Sequence, residues 1–230
     1  MKTFQGVIQS NKSAIGKIID FDGKADKLLA FDFTAANSEL TDERLADTDL
    51  FSAWINQKLE DNGAKFGIGG YDEHRTIYSR STHFGTDEEP RRLHLGVDIW
   101  APALTPISNF YDATVHSFAN NNNFGDYGAT IILNYQIGGY EFHALYGHLS
   151  LASLNGLEEG QIIPKGKAFA TLGVKEENGF WPPHLHFQVI KDMEGFKGDY
   201  PGVCKFSERE RYLANCPNPS LILDCSLMLL

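Results

Sequence analysis

The sequence has no excess of basic residues. Its 20 Lys and Arg are outnumbered by 30 Asp and Glu, which gives a formal net charge of −10 at pH 7. A chain with this balance repels a polyanion at long range, because the phosphates of DNA and RNA carry charge of the same sign. We therefore expect no nucleic-acid partner.

The sequence also lacks a long apolar segment. The apolar run at residues 221–230 is interrupted by Asp224, and it is far shorter than the roughly 20 residues that a membrane-spanning helix needs. Residues 1–6 show no basic stretch followed by an apolar run, so they do not resemble a secretory signal. We expect neither a membrane partner nor export.

Cysteine is scarce as well. The three cysteines, Cys204, Cys216 and Cys225, all lie late in the chain. An odd number of cysteines without an export signal is more typical of reduced thiols in the cytoplasm than of a disulfide framework. The expected location is therefore the cytoplasm.

The composition is that of a globular protein. The 230 residues are enough for one sizeable domain with extensions, and 42% of them are hydrophobic and 22% charged. A first strand is predicted at residues 28–33. A helix follows, because Phe51, Trp54, Ile55 and Leu59 have helical spacing and Gly63 is a suitable end. We assign residues 1–65 to a small α/β N-terminal extension.

Residues 66–205 have the pattern of an antiparallel β-sheet core. The runs at 129–135 and 140–146 flank Gly138 and Gly139, which supply the positive φ of a tight hairpin turn. Further strands are predicted at 113–118, 167–172 and 185–190. In the C-terminal tail, residues 206–230, Ser207 and Glu210 have the spacing of a capping box, which predicts one short helix. The predicted fold class is mainly β.

Two pairs of residues with metal-ligand chemistry have the spacing that puts both side chains on one face of a strand. His184 and His186 are two residues apart, and His94 and Asp98 are four apart. Because strand side chains alternate with a period of two, the members of each pair point to the same side. These four side chains are candidate metal ligands.

Zinc is the metal that these side chains suit, because it binds imidazole nitrogen and carboxylate oxygen. A catalytic zinc keeps three protein ligands and leaves a fourth position for water. Four candidates are one more than such a site needs, and a histidine that does not bind the metal can act as acid or base beside the water. His148, at the end of the second hairpin strand, is predicted to approach the same water.

The other four histidines have no partner at ligand spacing. A lone histidine is more often a surface residue or a satisfied core residue than a ligand. Tyr146 is interpreted in the same way, as a packed aromatic residue rather than a catalytic one. The histidines interpreted as structural are His74, His83, His116 and His143.

Together the motifs resemble those of the lysostaphin-like zinc endopeptidases, which cut the peptides of peptidoglycan. They stand in the family's order as His94-Leu-Gly-Val-Asp98, Tyr146-Gly-His148-Leu149 and His184-Leu-His186-Phe187. The resemblance implies one zinc ion per chain, held by His94, Asp98 and His186. It places His148 and His184 beside the metal-bound water, in a groove across a compact antiparallel β-sheet.

The resemblance covers about residues 75–190 and implies a metalloendopeptidase activity. The substrate would be a peptidoglycan-type peptide (a muropeptide) or another small peptide, and most members of the family act in the cell envelope. Residues 69–75, 182–183 and 199–202 are similar to a branch in which such a module stands beside class III aminotransferase modules. Which of His148 and His184 is the general base stays open.

Two other functions stay open. Two histidines and one carboxylate also form the iron site of non-haem oxygenases, although such sites usually set the carboxylate closer to its histidine. A cupin would have a Glu shortly after His-x-His, and residues 187–191 contain none. A binding or scaffolding module could keep the fold and the metal without hydrolysis, but such modules usually lose ligands.

Overall fold

Strands make up the core of the fold, and each predicted strand is present with its ends shifted by at most three residues. The computed structural model describes residues 2–85 and 88–223. The strands are β1 Leu28–Phe31, β2 Phe66–Gly69, β3 Leu93–His94, β4 Val97–Trp100, β5 Pro106–Ser108, β6 Ala113–Asn121, β7 Gly128–Ile137, β8 Tyr140–Leu149, β9 Ile162–Ile163, β10 Ala168–Thr171, β11 His184–Ile190 and β12 Val203–Cys204.

Within the described ranges, eight strands form one sheet in the order β1-β2-β4-β11-β8-β7-β6-β9. All neighbours in this sheet are antiparallel except β1 and β2, which are parallel. Two small antiparallel sheets, β10 with β5 and β12 with β3, lie beside it. The mainly β fold class is confirmed.

The long hairpin β7–β8 has the predicted turn. Gly138 and Gly139 have φ of 56° and 74°, and two successive positive φ values are typical of the type I′ turn that matches strand twist. The residues of the hairpin and of β11 are buried almost throughout, so these strands are covered on both faces. Their side chains Tyr135, Phe142 and Phe187 belong to the main hydrophobic core.

The helices are short apart from one, and they lie in the N-terminal segment and near the C-terminus. Their bounds are α1 Phe4–Ser10, α2 Asp42–Ala46, α3 Thr48–Asp61, α4 Arg209–Asn215 and α5 Ser220–Leu223. None of the helices in the described parts of the chain has the length and apolar character needed to cross a bilayer.

Of the predicted extension, the described residues 2–65 pack directly on the sheet. β1 extends the large sheet by pairing with β2. The helix predicted from helical spacing is α3, and it buries all four predicted positions, including Phe51 and Trp54. Phe51 lies 5.9 Å from Trp100 of β4, measured between ring centroids. The boundaries at residues 65 and 205 remain predictions.

The predicted capping box near the C-terminus is wrong. The helix is present as α4, but it begins at Arg209, and its N-cap Glu208 makes no side-chain cap bond. Ser207 instead donates its N–H and its Oγ–H to the carboxylate of Glu89, at 2.8 and 2.6 Å. Ser207 is therefore bonded to a carboxylate that is distant in sequence, instead of capping the helix as its local spacing predicted. Cys225 and most of the apolar run at 221–230 lie outside the described residues.

Candidate metal centre

The sheet register brings the predicted ligands together. His186 of β11 is paired with Asp98 of β4 on one side and with Gly147 of β8 on the other, next to His148. His94 of β3 arrives from the short β3–β12 sheet. The centre therefore lies where the central strand of the large sheet meets the smaller one.

Three atoms of these side chains converge. Asp98 Oδ1 lies 3.2 Å from His94 Nε2 and 3.1 Å from His186 Nδ1, and the two nitrogens are 3.0 Å apart. Zinc bonds of about 2.0–2.1 Å to nitrogen or oxygen in a tetrahedral site would place ligand atoms roughly 3.3–3.4 Å apart. The three buried groups could hold a metal ion, and they fit zinc in spacing and in donor chemistry.

The remaining nitrogen of each histidine ligand has a hydrogen-bond partner that fixes its tautomer. His94 donates from Nδ1 to the Gly70 carbonyl at 2.8 Å, and His186 donates from Nε2 to Gln188 Oε1 at 2.9 Å. The Gln188 amide is itself oriented, because its Nε2 donates to the Pro201 carbonyl at 3.1 Å. The lone pairs that face Asp98 are thereby free for a metal.

His148 and His184 form a second pair beside the first. Their ring centroids are 4.1 Å apart. Each donates from Nδ1 to a backbone carbonyl at 2.8 Å, His148 to Asn178 and His184 to Pro182. Their Nε2 atoms are therefore left as acceptors. His148 has φ of 61°, in the left-handed region that few non-glycine residues adopt.

Burial favours the neutral form of three of the imidazoles. It lowers the pKa of His94 to about 3, with a further contribution from the charge of Arg75, and that of His184 to about 4. Burial also holds the pKa of His148 well below its usual value. Although burial opposes the ionisation of Asp98, the contacts with His94 and Arg75 hold its pKa well below the usual range. Neutral imidazoles and an ionised carboxylate are the forms that bind a metal.

Four of the five residues, all except the fully buried His94, line a cavity of about 230 Å³ that also has several aromatic side chains in its wall. The indole N–H groups of Trp100 and Trp181, which line it, have no hydrogen-bond partner among the described residues. Trp100 stacks on His184 with centroids 4.0 Å apart. Further lining residues are Tyr78, Phe84, Tyr127, Asp126 and Asp199.

The histidines interpreted as structural lie elsewhere, with one exception. His74 is exposed, and His116 and His143 form a pair with ring centroids 4.8 Å apart. His83 lines the cavity, and its Nε2 is 3.9 Å from Asp126 Oδ1. Because His83 has no partner at ligand spacing, the sequence did not indicate that it lines the cavity.

Tyr146 is fully buried, and its hydroxyl lies 2.6 Å from that of Tyr135. Sequence reasoning missed Arg75. This residue is fully buried and donates to Asp98 Oδ2 and, at 2.6 Å, to Glu73. An arginine in a polar segment after a strand has the pattern of a surface residue, so no local signal indicated its position.

Comparison with known proteins gives one family match. Residues 92–197 match the family model described as Peptidase family M23. A search of curated proteins gave no match.

Several solved structures are similar. The catalytic domain of the antimicrobial peptidase lysostaphin from Staphylococcus simulans has a TM-score of 0.43 and 20% identity, over 75% of this chain and 97% of that one. A putative peptidase M23 from Pseudomonas aeruginosa gives 0.37 and 19%, over 56% and 43%. A zinc-containing peptidase from Vibrio cholerae gives 0.34 and 23%, over 43% and 27%. The chain thus spans less than half of the last two proteins.

Proposed function

Residues 92–197 form a peptidase family M23 domain, and from this premise we propose that the protein is a zinc-dependent endopeptidase. Its substrate would be a peptidoglycan-type peptide or another small peptide. The observation that carries the proposal is the convergence of His94 Nε2, His186 Nδ1 and Asp98 Oδ1 within 3.2 Å of one another. Two further neutral histidines face the same cavity.

Zinc at this position would activate a water molecule near neutral pH and polarise the scissile carbonyl. His94, His186 and Asp98 would hold it. The hydrogen bonds to Gly70 and Gln188 keep both imidazoles in the tautomer that can bind it. Asp98 would supply one negative charge to the ligand set, because a carboxylate is an anionic ligand and an imidazole nitrogen is not.

His148 and His184 would move the proton. Both present an unprotonated Nε2, because each Nδ1–H is committed to a backbone carbonyl. One of them takes the proton from the attacking water, and a protonated imidazole then supplies it to the leaving amine. Both histidines line the cavity of about 230 Å³, next to several aromatic side chains.

The first test is metal content by elemental mass spectrometry on protein purified without added metal or chelator. We expect about one zinc per chain in the wild type and none in His186→Ala. His74→Ala is the matched control, since His74 is exposed and outside the cavity. The zinc-loaded protein should then cleave a member of a panel that includes glycine-rich and D-amino-acid peptides.

The outcomes separate the alternatives. Iron that is lost with His186 would favour oxygenase chemistry instead. Zinc with no cleavage across the whole panel would favour a binding module. Metal content that does not change in His186→Ala would contradict the assigned site.

A further inference from the structure

Arg75 is a fully buried guanidinium whose bonds all lead to the metal centre or its supports. Its Nη1 donates to Asp98 Oδ2 and, at 3.3 Å, to the Tyr78 hydroxyl. Its Nη2 donates to the Gly70 carbonyl at 3.0 Å, and its Nε to Glu73 Oε2 at 2.6 Å. A buried charge is tolerated only when it is paired in this way, so its position is strongly determined.

Two of these acceptors belong to the metal centre: one is the predicted ligand Asp98, and the other is the carbonyl that accepts from the predicted ligand His94. Asp98 gives Oδ2 to Arg75, so Oδ1 alone faces His94 and His186. The Gly70 carbonyl accepts from Arg75 and also from Nδ1 of His94. One guanidinium therefore fixes the rotation of the carboxylate and the carbonyl that orients an imidazole.

The N-terminal segment holds the guanidinium from the other side. The ring of Phe33 lies over Arg75, with 5.2 Å between the guanidinium carbon and the ring centroid. The Phe33 N–H donates to Glu73 Oε1 at 3.3 Å. A Cβ at Gly69 would lie 2.8 Å from Arg75 Nη2 and 3.1 Å from Phe33, so this close approach requires glycine.

We propose that Arg75 is a positioning residue of the metal centre, clamped by Glu73 and by Phe33 of the N-terminal segment. It makes Asp98 a one-oxygen ligand and sets the orientation of His94. Arg75, Glu73 and Phe33 all precede the family match at 92–197, so the N-terminal segment takes part in building the site. The proposal rests on the metal site of the proposed function and not on hydrolysis.

The test measures the zinc dissociation constant by chelator competition and the visible absorption of the cobalt-substituted protein. Loss of a group that orients a ligand typically weakens metal binding about 10–100-fold, and we expect this for Arg75→Met. The absorption bands of bound cobalt should also change in this variant, because the Asp98 carboxylate is no longer held by the guanidinium and can rotate. Glu73→Gln keeps an acceptor for Phe33 and removes the charge, so a smaller loss, about three- to tenfold, is expected.

The matched control is Arg80→Met. Arg80 is a part-buried arginine 4.7 Å from the Trp181 ring centroid, and it donates to Thr48. It contacts none of the three ligands, so its loss should lower thermal stability without changing zinc affinity. Melting of the metal-free variants shows that each is folded.

An unchanged dissociation constant with unchanged cobalt bands in Arg75→Met would overturn the proposal. An equal loss in Arg80→Met would do the same, since it would indicate general loosening. If Arg75→Met does not fold, wild-type affinity in Glu73→Gln is the overturning result. Zinc binding without peptide cleavage would remove the endopeptidase function and leave this proposal standing, whereas a wild type that binds no zinc would overturn both.

Discussion

Gln188→Met should weaken zinc binding without unfolding the protein. Gln188 is fully buried and accepts from His186 Nε2 at 2.9 Å. Methionine is similar in length but offers no comparable acceptor. In the metal-free variant, His186 can move its proton to Nδ1 and donate to Asp98 Oδ1, which lies 3.1 Å away.

Zinc binding to Gln188→Met requires the His186 proton to return from Nδ1 to Nε2. Binding through Nδ1 would then leave a buried Nε2–H without an acceptor, which costs about 1–3 kcal/mol. At 1.4 kcal/mol per factor of ten, the dissociation constant should rise about 5- to 150-fold. Gln188→Glu restores the acceptor and should recover most of the affinity.

The assay is competition with a chromophoric chelator at fixed pH. Gln136→Met is the matched control, because it makes the same chemical change at an exposed position of β7. A wild-type dissociation constant in Gln188→Met would refute the tautomer argument. An equal weakening in Gln136→Met would refute it as well.

Three further predictions concern single histidines and a tyrosine. His148→Ala should retain zinc and lower kcat/KM for peptide cleavage about 10²- to 10⁴-fold; wild-type rates would contradict its role. Tyr146→Phe removes the 2.6 Å contact with the Tyr135 hydroxyl, so urea unfolding should show a loss of about 1 kcal/mol with zinc binding unchanged; lost zinc would show that Tyr146 is more than a packed residue. Burial lowers the pKa of His116 and His143, so the unfolded chain binds more protons and stability falls as pH drops below about 6.5. The melting temperature of His143→Gln should therefore fall less steeply with acidification than that of the wild type. Parallel plots of melting temperature against pH would count against this.

The sequence was most informative where structure is periodic. The even spacing of His184 and His186 on a strand put both imidazoles in one cavity, and Gly138-Gly139 fixed the hairpin turn. Strands can be predicted from the local pattern, because burial of a strand face requires apolar residues at regular intervals.

The hydrogen-bond partners of the site histidines could not be predicted from sequence periodicity. Gly70, Asn178 and Pro182 contribute carbonyl oxygens from irregular segments, where no periodicity relates sequence to position. Arg75 is covered in part by Phe33, which lies far earlier in the chain. Ser207 shows the same limit, since Glu89 rather than the nearby helix takes its hydroxyl.

The aromatic wall of the cavity gives the protein an optical signal of its own. Of the three tryptophans, Trp100 stacks on His184, and Trp181 lies 6.4 Å from His148 between ring centroids. Indole emission responds to the charge and polarity of its immediate surroundings. Trp54 packs instead among the phenylalanines of the N-terminal segment, 5.5 Å from Phe31, where it supplies a steady background. Intrinsic fluorescence can therefore follow the filling and emptying of the cavity in real time, without a label.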